Sequence, residues 1–262
     1  MAVPNQTSSF AGGYWLKPPQ PPILNAGLGP IEADTAVFDT FKSTTGTFTA
    51  STSNVGTLTF GIGGGTAGST VLNGLAYDES ETGSFGTLYL NSESGAYTFV
   101  PNNVAINALK IPTTESFVIT VSDGTLSASR TFTIIINGVE DAAIISGTTA
   151  GSVIEAGAAV NATPGLQTAT GTLTDTDPDD PTNTFTAVSS PTKSAGGYGT
   201  FTMTTDGVWT YMLDEANSAV QALKVGDTLT DTFTVTSIDG TPEEVTIIIR
   251  GPMVGVTGTA RR

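Results

Sequence analysis

Short runs of alternating apolar and polar residues recur along the chain. Gly86-Thr87-Leu88-Tyr89-Leu90 and Phe117-Val118-Ile119-Thr120-Val121 are typical. A period of two is that of a strand with one buried face. Helical spacing is confined to two places. Ile106 and Leu109, and later Val220 and Leu223, fall three apart and predict one short helical turn in each half. The second turn is expected from near Asp214 to Gly226. Between the runs lie 31 Gly and 14 Pro, the residues that punctuate turns. The pattern predicts an all-β protein.

The runs repeat. Gly86-Thr87-Leu88-Tyr89-Leu90 and Gly95-Ala96-Tyr97-Thr98-Phe99 match Gly199-Thr200-Phe201-Thr202-Met203 and Gly207-Val208-Trp209-Thr210-Tyr211. Each pair reads as a β-hairpin around a glycine-containing turn. Ala108-Leu109-Lys110 matches Ala222-Leu223-Lys224. Phe117 to Gly124 matches Phe233 to Gly240, and Thr133-Ile134-Ile135-Ile136 matches Thr246-Ile247-Ile248-Ile249. Upstream, Ile31-Glu32-Ala33 parallels Ile154-Glu155-Ala156, and Gly56-Thr57-Leu58-Thr59 parallels Gly171-Thr172-Leu173-Thr174. About seven strands per copy is the count of an immunoglobulin-like sandwich. The boundary is expected near Gly138-Val139-Glu140-Asp141, giving sandwiches over 31–142 and 143–251 and a tail over 252–262. Trp209 alternates in phase with Tyr211, so both are expected in the core rather than on a ligand platform.

Residues 1–30 stand apart. Tyr14-Trp15-Leu16 leads into Lys17-Pro18-Pro19-Gln20-Pro21-Pro22, then Ile23-Leu24. The prolines favour an extended arm without a sheet ladder. Plain linkers rarely carry so many large apolar groups. Tyr14, Trp15, Leu16, Pro18, Pro19, Ile23 and Leu24 are therefore expected to fasten the arm to a partner subunit.

Composition narrows the function. The chain has 24 acidic and 9 basic side chains and a net charge of −15, which disfavours nucleic acid and anionic membranes. Without cysteine or histidine it lacks the usual ligands of zinc, haem and iron–sulfur groups. The inventory for nucleophilic or acid–base catalysis is equally poor, and no enzyme is expected. Gly63-Gly64-Gly65 has no Gly-Lys-Ser/Thr after it and reads as a loop. Apolar runs are of strand length, and no membrane insertion is expected. The amino terminus has neither the charged nor the apolar region of a secretory signal.

The second copy resembles the VCBS repeat of large bacterial surface proteins. The likeness rests on Ile145-Ser146-Gly147, Ser152-Val153-Ile154-Glu155, Ala169-Thr170-Gly171-Thr172-Leu173 and Asp175-Thr176-Asp177. It continues through Tyr198-Gly199-Thr200-Phe201, Gly207 to Tyr211, Asn217 to Leu223 and Thr230 to Val235. The first copy looks like a diverged relative that lost the acidic motif. The resemblance implies two tandem immunoglobulin- or cadherin-like β-sandwiches behind the extended arm, calcium at their junction, and an adhesive or structural role.

Asp175-Thr176-Asp177-Pro178-Asp179-Asp180 concentrates carboxylates, which repel unless a cation or water intervenes. Calcium takes about six to eight oxygen ligands. The spacing excludes an EF-hand, because Asp180 stands where that loop needs Gly and Thr186 where it needs Glu. A cadherin-like arrangement, which the resemblance implies, would draw on Asp175, Asp177, Asp239, Glu140, Asp141 and Glu32. The bland alternative is a solvated acidic loop with Asp-Gly turns.

Three functions fit these readings. The first is a virion decoration or tail protein, attached through its arm to capsid or tail subunits in an oligomer or lattice. The others are a fragment of a calcium-dependent bacterial adhesin or surface filament, and a carbohydrate-binding module. The expected location is a virion surface or the extracellular cell surface.

Overall fold

The computed structural model describes residues 10–11, 14–15, 18–157 and 165–253. The chain divides into two compact units, Met1–Glu140 and Asp141–Arg262, each with its own hydrophobic core. Both are β-sandwiches, as the alternation predicts.

The first unit contains β1 (Phe10–Ala11), β2 (Tyr14–Trp15), β3 (Ile23–Asn25), β4 (Leu28–Ala33), β5 (Thr44–Thr47), β6 (Thr49–Ser51) and β7 (Thr59–Ile62). It continues with β8 (Thr66–Leu72), β9 (Leu75–Thr82), β10 (Gly86–Leu90), β11 (Ala96–Pro101), α1 (Asn103–Asn107), β12 (Thr113–Ser122) and β13 (Ser127–Asn137). One sheet runs β5-β11-β10-β9-β8 and the other β4-β13-β12-β7. Leu88, Leu90 and Phe99 from the first meet Ile119, Phe132, Ile134 and Ile136 from the second, all buried. The strand β4 lies parallel to β13, so an early strand closes beside the last one.

The second unit contains β14 (Ile144–Gly147), β15 (Ala150–Ile154), β16 (Thr168–Thr176), β17 (Val188–Lys193), β18 (Gly199–Met203), β19 (Val208–Leu213), α2 (Ser218–Gln221), β20 (Thr228–Thr236) and β21 (Pro242–Arg250). Its sheets run β14-β16-β19-β18-β17 and β15-β21-β20, and β15 is again parallel to the last strand. Trp209 and Tyr211 are buried in the core, where Phe233 meets both rings. The hairpin expected in each copy forms, β10 with β11 and β18 with β19. Gly95 (φ 74°) and Gly207 (φ 84°) adopt the left-handed backbone that their turns require.

The helical turns are shorter than expected. The Asn217 side chain accepts from the Ala219 and Val220 N–H groups, so α2 starts at Ser218 rather than Asp214. Asn102 caps α1 in the same way. Ile106 and Val220 are buried, as their spacing predicts.

Two boundaries move. Ile23 to Asn25 pair with β6, and Leu24 and Ala26 are buried in the first core. The segment read as the end of an arm is therefore part of the sandwich. Leu24 is committed to its own core, while Ile23 points outward. The unit boundary falls between Glu140 and Asp141, two residues before the one read from sequence. In the arm, Phe10 pairs with Trp15 and Ala11 with Tyr14. Leu16, the side chains of Tyr14 and Trp15, and residues 254–262 of the tail lie outside the described residues.

The repeat is also corrected. In the second unit β16 pairs with β19, placing Gly171 opposite Trp209. In the first unit β5 pairs with β11, placing Gly46 opposite Tyr97. A Cβ on either glycine would lie 2.4 Å from an atom of the facing aromatic side chain. The true counterpart of Gly171-Thr172-Leu173-Thr174 is therefore Gly46-Thr47-Phe48-Thr49, not Gly56-Thr57-Leu58-Thr59. By the same logic Phe60 corresponds to Phe185, since Phe60 pairs with Val121 and Phe185 bridges to Ser237, the residue equivalent to Val121. Gly171→Ala is expected to force the Trp209 ring out of place and cost about 1–3 kcal/mol, read as a lower denaturant midpoint.

Candidate metal centre

The corrected register makes the first unit a control for the second. Asp175 lies near the end of β16 and Asp177 and Asp179 follow it, at positions where the first unit has Ala50, Thr52 and Asn54. Asp239 of the second unit corresponds to Asp123 of the first.

In the first unit the carboxylate at this position is satisfied by hydrogen bonds from neutral groups. Asp123 Oδ2 accepts from Asn54 Nδ2 (2.6 Å) and Thr52 Oγ1 (2.9 Å), and its Oδ1 accepts from the Leu126 and Thr125 N–H groups (2.9 and 3.0 Å). These bonds hold its carboxyl well below the usual carboxylate range, with Leu126 and Asn54 contributing most. Asn54 also exchanges hydrogen bonds with the Gln20 backbone, so the incoming arm is tied to the same group. Nothing here calls for a cation.

The second unit places carboxylates from two loops and from the start of the domain at one end of its sandwich. The Asp177 Oδ1 accepts from the Asp179 and Asp180 N–H groups (3.0 and 3.1 Å), curling the acidic loop around itself. Asn183, at φ 47°, accepts from the Asp177 N–H (2.8 Å). Asp141 donates its N–H to Asp179 Oδ2 (2.9 Å), and Ala143 donates to Asp239 Oδ2 (3.3 Å). The segment 141–143 is thereby pinned to both acidic loops. Asp239 is further held by the Ser237 and Thr241 hydroxyls. Burial opposes its ionisation, but these bonds outweigh burial and hold the carboxyl down at about 2.

Asp175 differs. It is 8% exposed, and neither side-chain oxygen has a hydrogen-bond partner; Asp177 Oδ2, on a residue 4% exposed, has none either. Burial pushes the Asp175 carboxyl up, and the neighbouring charges of Asp177, Asp239 and Asp180 push it further. A buried carboxylate without a donor is costly, and among the described residues no ion pair offsets it. Hard cations favour such oxygens. Among the described residues, no group of three or more acidic side chains is arranged so that it could hold a metal ion. Both Asp175 oxygens and Asp177 Oδ2 remain without hydrogen-bond donors.

The remaining candidates belong to the first unit. Glu32 is buried, its Oε1 lacks a hydrogen-bond partner, and burial pushes its carboxyl up. Glu140 is half-exposed and pairs with Lys110 at 2.8 Å.

Several acids escaped sequence reasoning. Asp34 is buried beside Glu32 in sequence and accepts from the Val139 N–H (3.2 Å). Asp179 and Asp180 were visible only as part of a run. Glu155, buried just after β15, and the half-buried Glu215, just after β19, form a second acidic pair. Gln221 and the Ala156 N–H each bond one oxygen of the pair, and the other oxygen of each lacks a partner. Their signal was the matched Ile31-Glu32 and Ile154-Glu155.

Residues 140–251, which make up the second sandwich, match the family model of the bacterial cadherin-like domain. Modules of this family are non-catalytic and extracellular. No curated protein matches the chain. Among solved structures, the first two extracellular repeats of human protocadherin-24 are 13% identical. They match 89% of this chain and 99% of that one, with a TM-score of 0.33. The first four repeats of Drosophila N-cadherin are 10% identical over 89% of this chain and 50% of that one, TM-score 0.36. A Porphyromonas gingivalis protein of unknown function is 10% identical over 88% and 100%, TM-score 0.27. No helix among the described residues is long and apolar enough to cross a membrane.

Proposed function

We propose that the protein is a non-enzymatic, adhesion-type structural module whose second sandwich takes up Ca2+ through Asp175, Asp177 and Asp239, with Asp141 beside them. One observation carries the reading. The two buried Asp175 oxygens lack hydrogen-bond donors in a ring of other carboxylates, while the corresponding place in the first unit holds only neutral groups around Asp123. Bound calcium would neutralise the cluster and hold the acidic loop against segment 141–143. The protein's role is then mechanical: a stiffened module displayed at the surface of a larger assembly. Attachment through the arm to capsid or tail subunits fits the apolar sequence around Tyr14-Trp15-Leu16 and the tie of Gln20 to Asn54. A bacterial adhesin or surface filament is the second reading, favoured by the family match over 140–251.

Calorimetric titration of the metal-free protein with CaCl2 tests the reading. Saturable binding with a dissociation constant of roughly 10⁻⁵–10⁻³ M is expected, the range of sensor and extracellular sites. Asp175→Asn and Asp177→Asn should each weaken it at least tenfold. A titration without saturable heat, confirmed by unchanged melting in excess calcium, would sink the proposal.

A further inference from the structure

The root of the arm meets the first unit at the position that corresponds to the acidic pole of the second. Strand pairing sets the correspondence. Ile23 opposite Ser51 matches Ile144 opposite Thr176, so Gln20 stands where the second unit has Asp141. Gln20, Ala50, Thr52 and Asn54 thus replace Asp141, Asp175, Asp177 and Asp179, and Asp123 keeps the place of Asp239.

The bonds correspond as well. The Gln20 N–H donates to Asn54 Oδ1 (3.4 Å), as the Asp141 N–H donates to Asp179 Oδ2 (2.9 Å). The Thr125 N–H donates to Asp123 Oδ1 (3.0 Å), as the Thr241 N–H donates to Asp239 Oδ1 (3.2 Å). One difference separates the two poles. An ionised Asp179 only accepts, whereas the Asn54 amide also has two N–H donors. Its Nδ2 donates to the Gln20 carbonyl oxygen (2.7 Å) and to Asp123 Oδ2 (2.6 Å). One side chain therefore joins an incoming carbonyl to a buried carboxylate. Joining two such oxygens is what a hard cation does.

The segment held this way has little freedom of its own. Pro18, Pro19, Pro21 and Pro22 lack an N–H, and each ring fixes φ near about −65°. Gln20 has the one backbone donor of residues 18–22, and Asn54 accepts it. The Gln20 side chain turns back on the segment, its Nε2 donating to the Pro18 and Pro19 carbonyl oxygens (3.3 and 3.2 Å). Just beyond, Ile23 to Asn25 join the sandwich beside β6.

We infer that the Asn54 side chain is a built-in clip, standing in for a cation, that holds the root of the arm rigid on the first sandwich at any calcium concentration. A protein fastened through its arm needs such a mount, because a flexible root would let the sandwich swing on its attachment. The clip belongs to the first unit alone and stands whether or not the second unit binds an ion. If the second unit does bind calcium, the chain has one entry segment held constitutively and one, residues 141–143, held more firmly when the ion is present.

The Gln20 backbone order parameter, from NMR relaxation of the full chain, reads the clip directly. It should lie near about 0.85, the value of rigid backbone, in EDTA and in calcium alike. Asn54→Ala should lower it below about 0.6, the range of flexible segments, with the values for β10 to β13 unchanged. Asn54→Asp keeps the size and the acceptor but loses both donors and sets a charge against Asp123. It should loosen Gln20 in EDTA as far as Asn54→Ala does. Ser53→Ala, at the exposed neighbour, should leave Gln20 rigid. A mobile Gln20 in the parent protein overturns the inference, as does a Gln20 rigid only in calcium; neither result needs a variant. A Gln20 indifferent to Asn54→Ala overturns it too. Failure of the second unit to bind calcium would leave all of these expectations as they are.

Discussion

Replacing Trp209 by alanine is expected to destabilise the second sandwich by about 3–5 kcal/mol, the cost of emptying a fully buried tryptophan site. The ring is 0% exposed and meets Phe233 edge-on at 5.7 Å. Its Nε1 donates to the Thr148 carbonyl oxygen at 2.7 Å, which would lose that donor. Gly151 and Gly171 lie against the ring and have no side chains to refill the space. The first unit has a separate core, so the loss should not spread. Scanning calorimetry should show the second unit's transition about 10–20 °C lower, with the first unit's unmoved. A common shift of both transitions would mean that the two cores are coupled.

Asp175→Asn should have opposite effects in the two buffers. Without cation the variant is expected to be more stable than the parent protein by about 1–2 kcal/mol. The substitution removes a buried charge that has no donor and that Asp177, Asp239 and Asp180 repel. With calcium the order should reverse, because the parent protein gains binding energy that the variant lacks. Urea unfolding in EDTA and in calcium reads both signs. A variant less stable in both buffers would mean that Asp175 has a structural role unrelated to cation binding.

Much of the architecture was legible because burial imposes a period of two on every central strand. Leu88 and Leu90, or Ile134 and Ile136, could hardly be read otherwise. Two misreadings share a physical cause. Prolines at 18–22 and 30 hid β3 and β4, because proline is a strong local signal, whereas the inward alternation of Leu24 and Ala26 is a weak one. The likeness of Gly56-Thr57-Leu58-Thr59 to Gly171-Thr172-Leu173-Thr174 was one of identity only. What fixes the register is the need for a glycine beneath an aromatic ring, and that is decided between strands distant in sequence. At the acidic pole, Asp175 and Asp177 stand out in the sequence as part of a carboxylate run, whereas Asp239 enters only through the resemblance to a cadherin-like site. The hydrogen-bond satisfaction that separates Asp239 from Asp175 depends on Ser237, Thr241 and Ala143, and no motif encodes it.

The account stands or falls on whether the second sandwich is a cation-dependent fold. The direct measurement is its melting temperature in EDTA and in excess calcium. At about a hundredfold excess over the dissociation constant, calcium should add about 2.7 kcal/mol. That raises the midpoint of a unit of this size by about 10 °C. The first unit, where Ala50, Thr52 and Asn54 replace the acidic residues, should melt at one temperature in both buffers. Equal midpoints for the second unit with and without calcium would contradict the account.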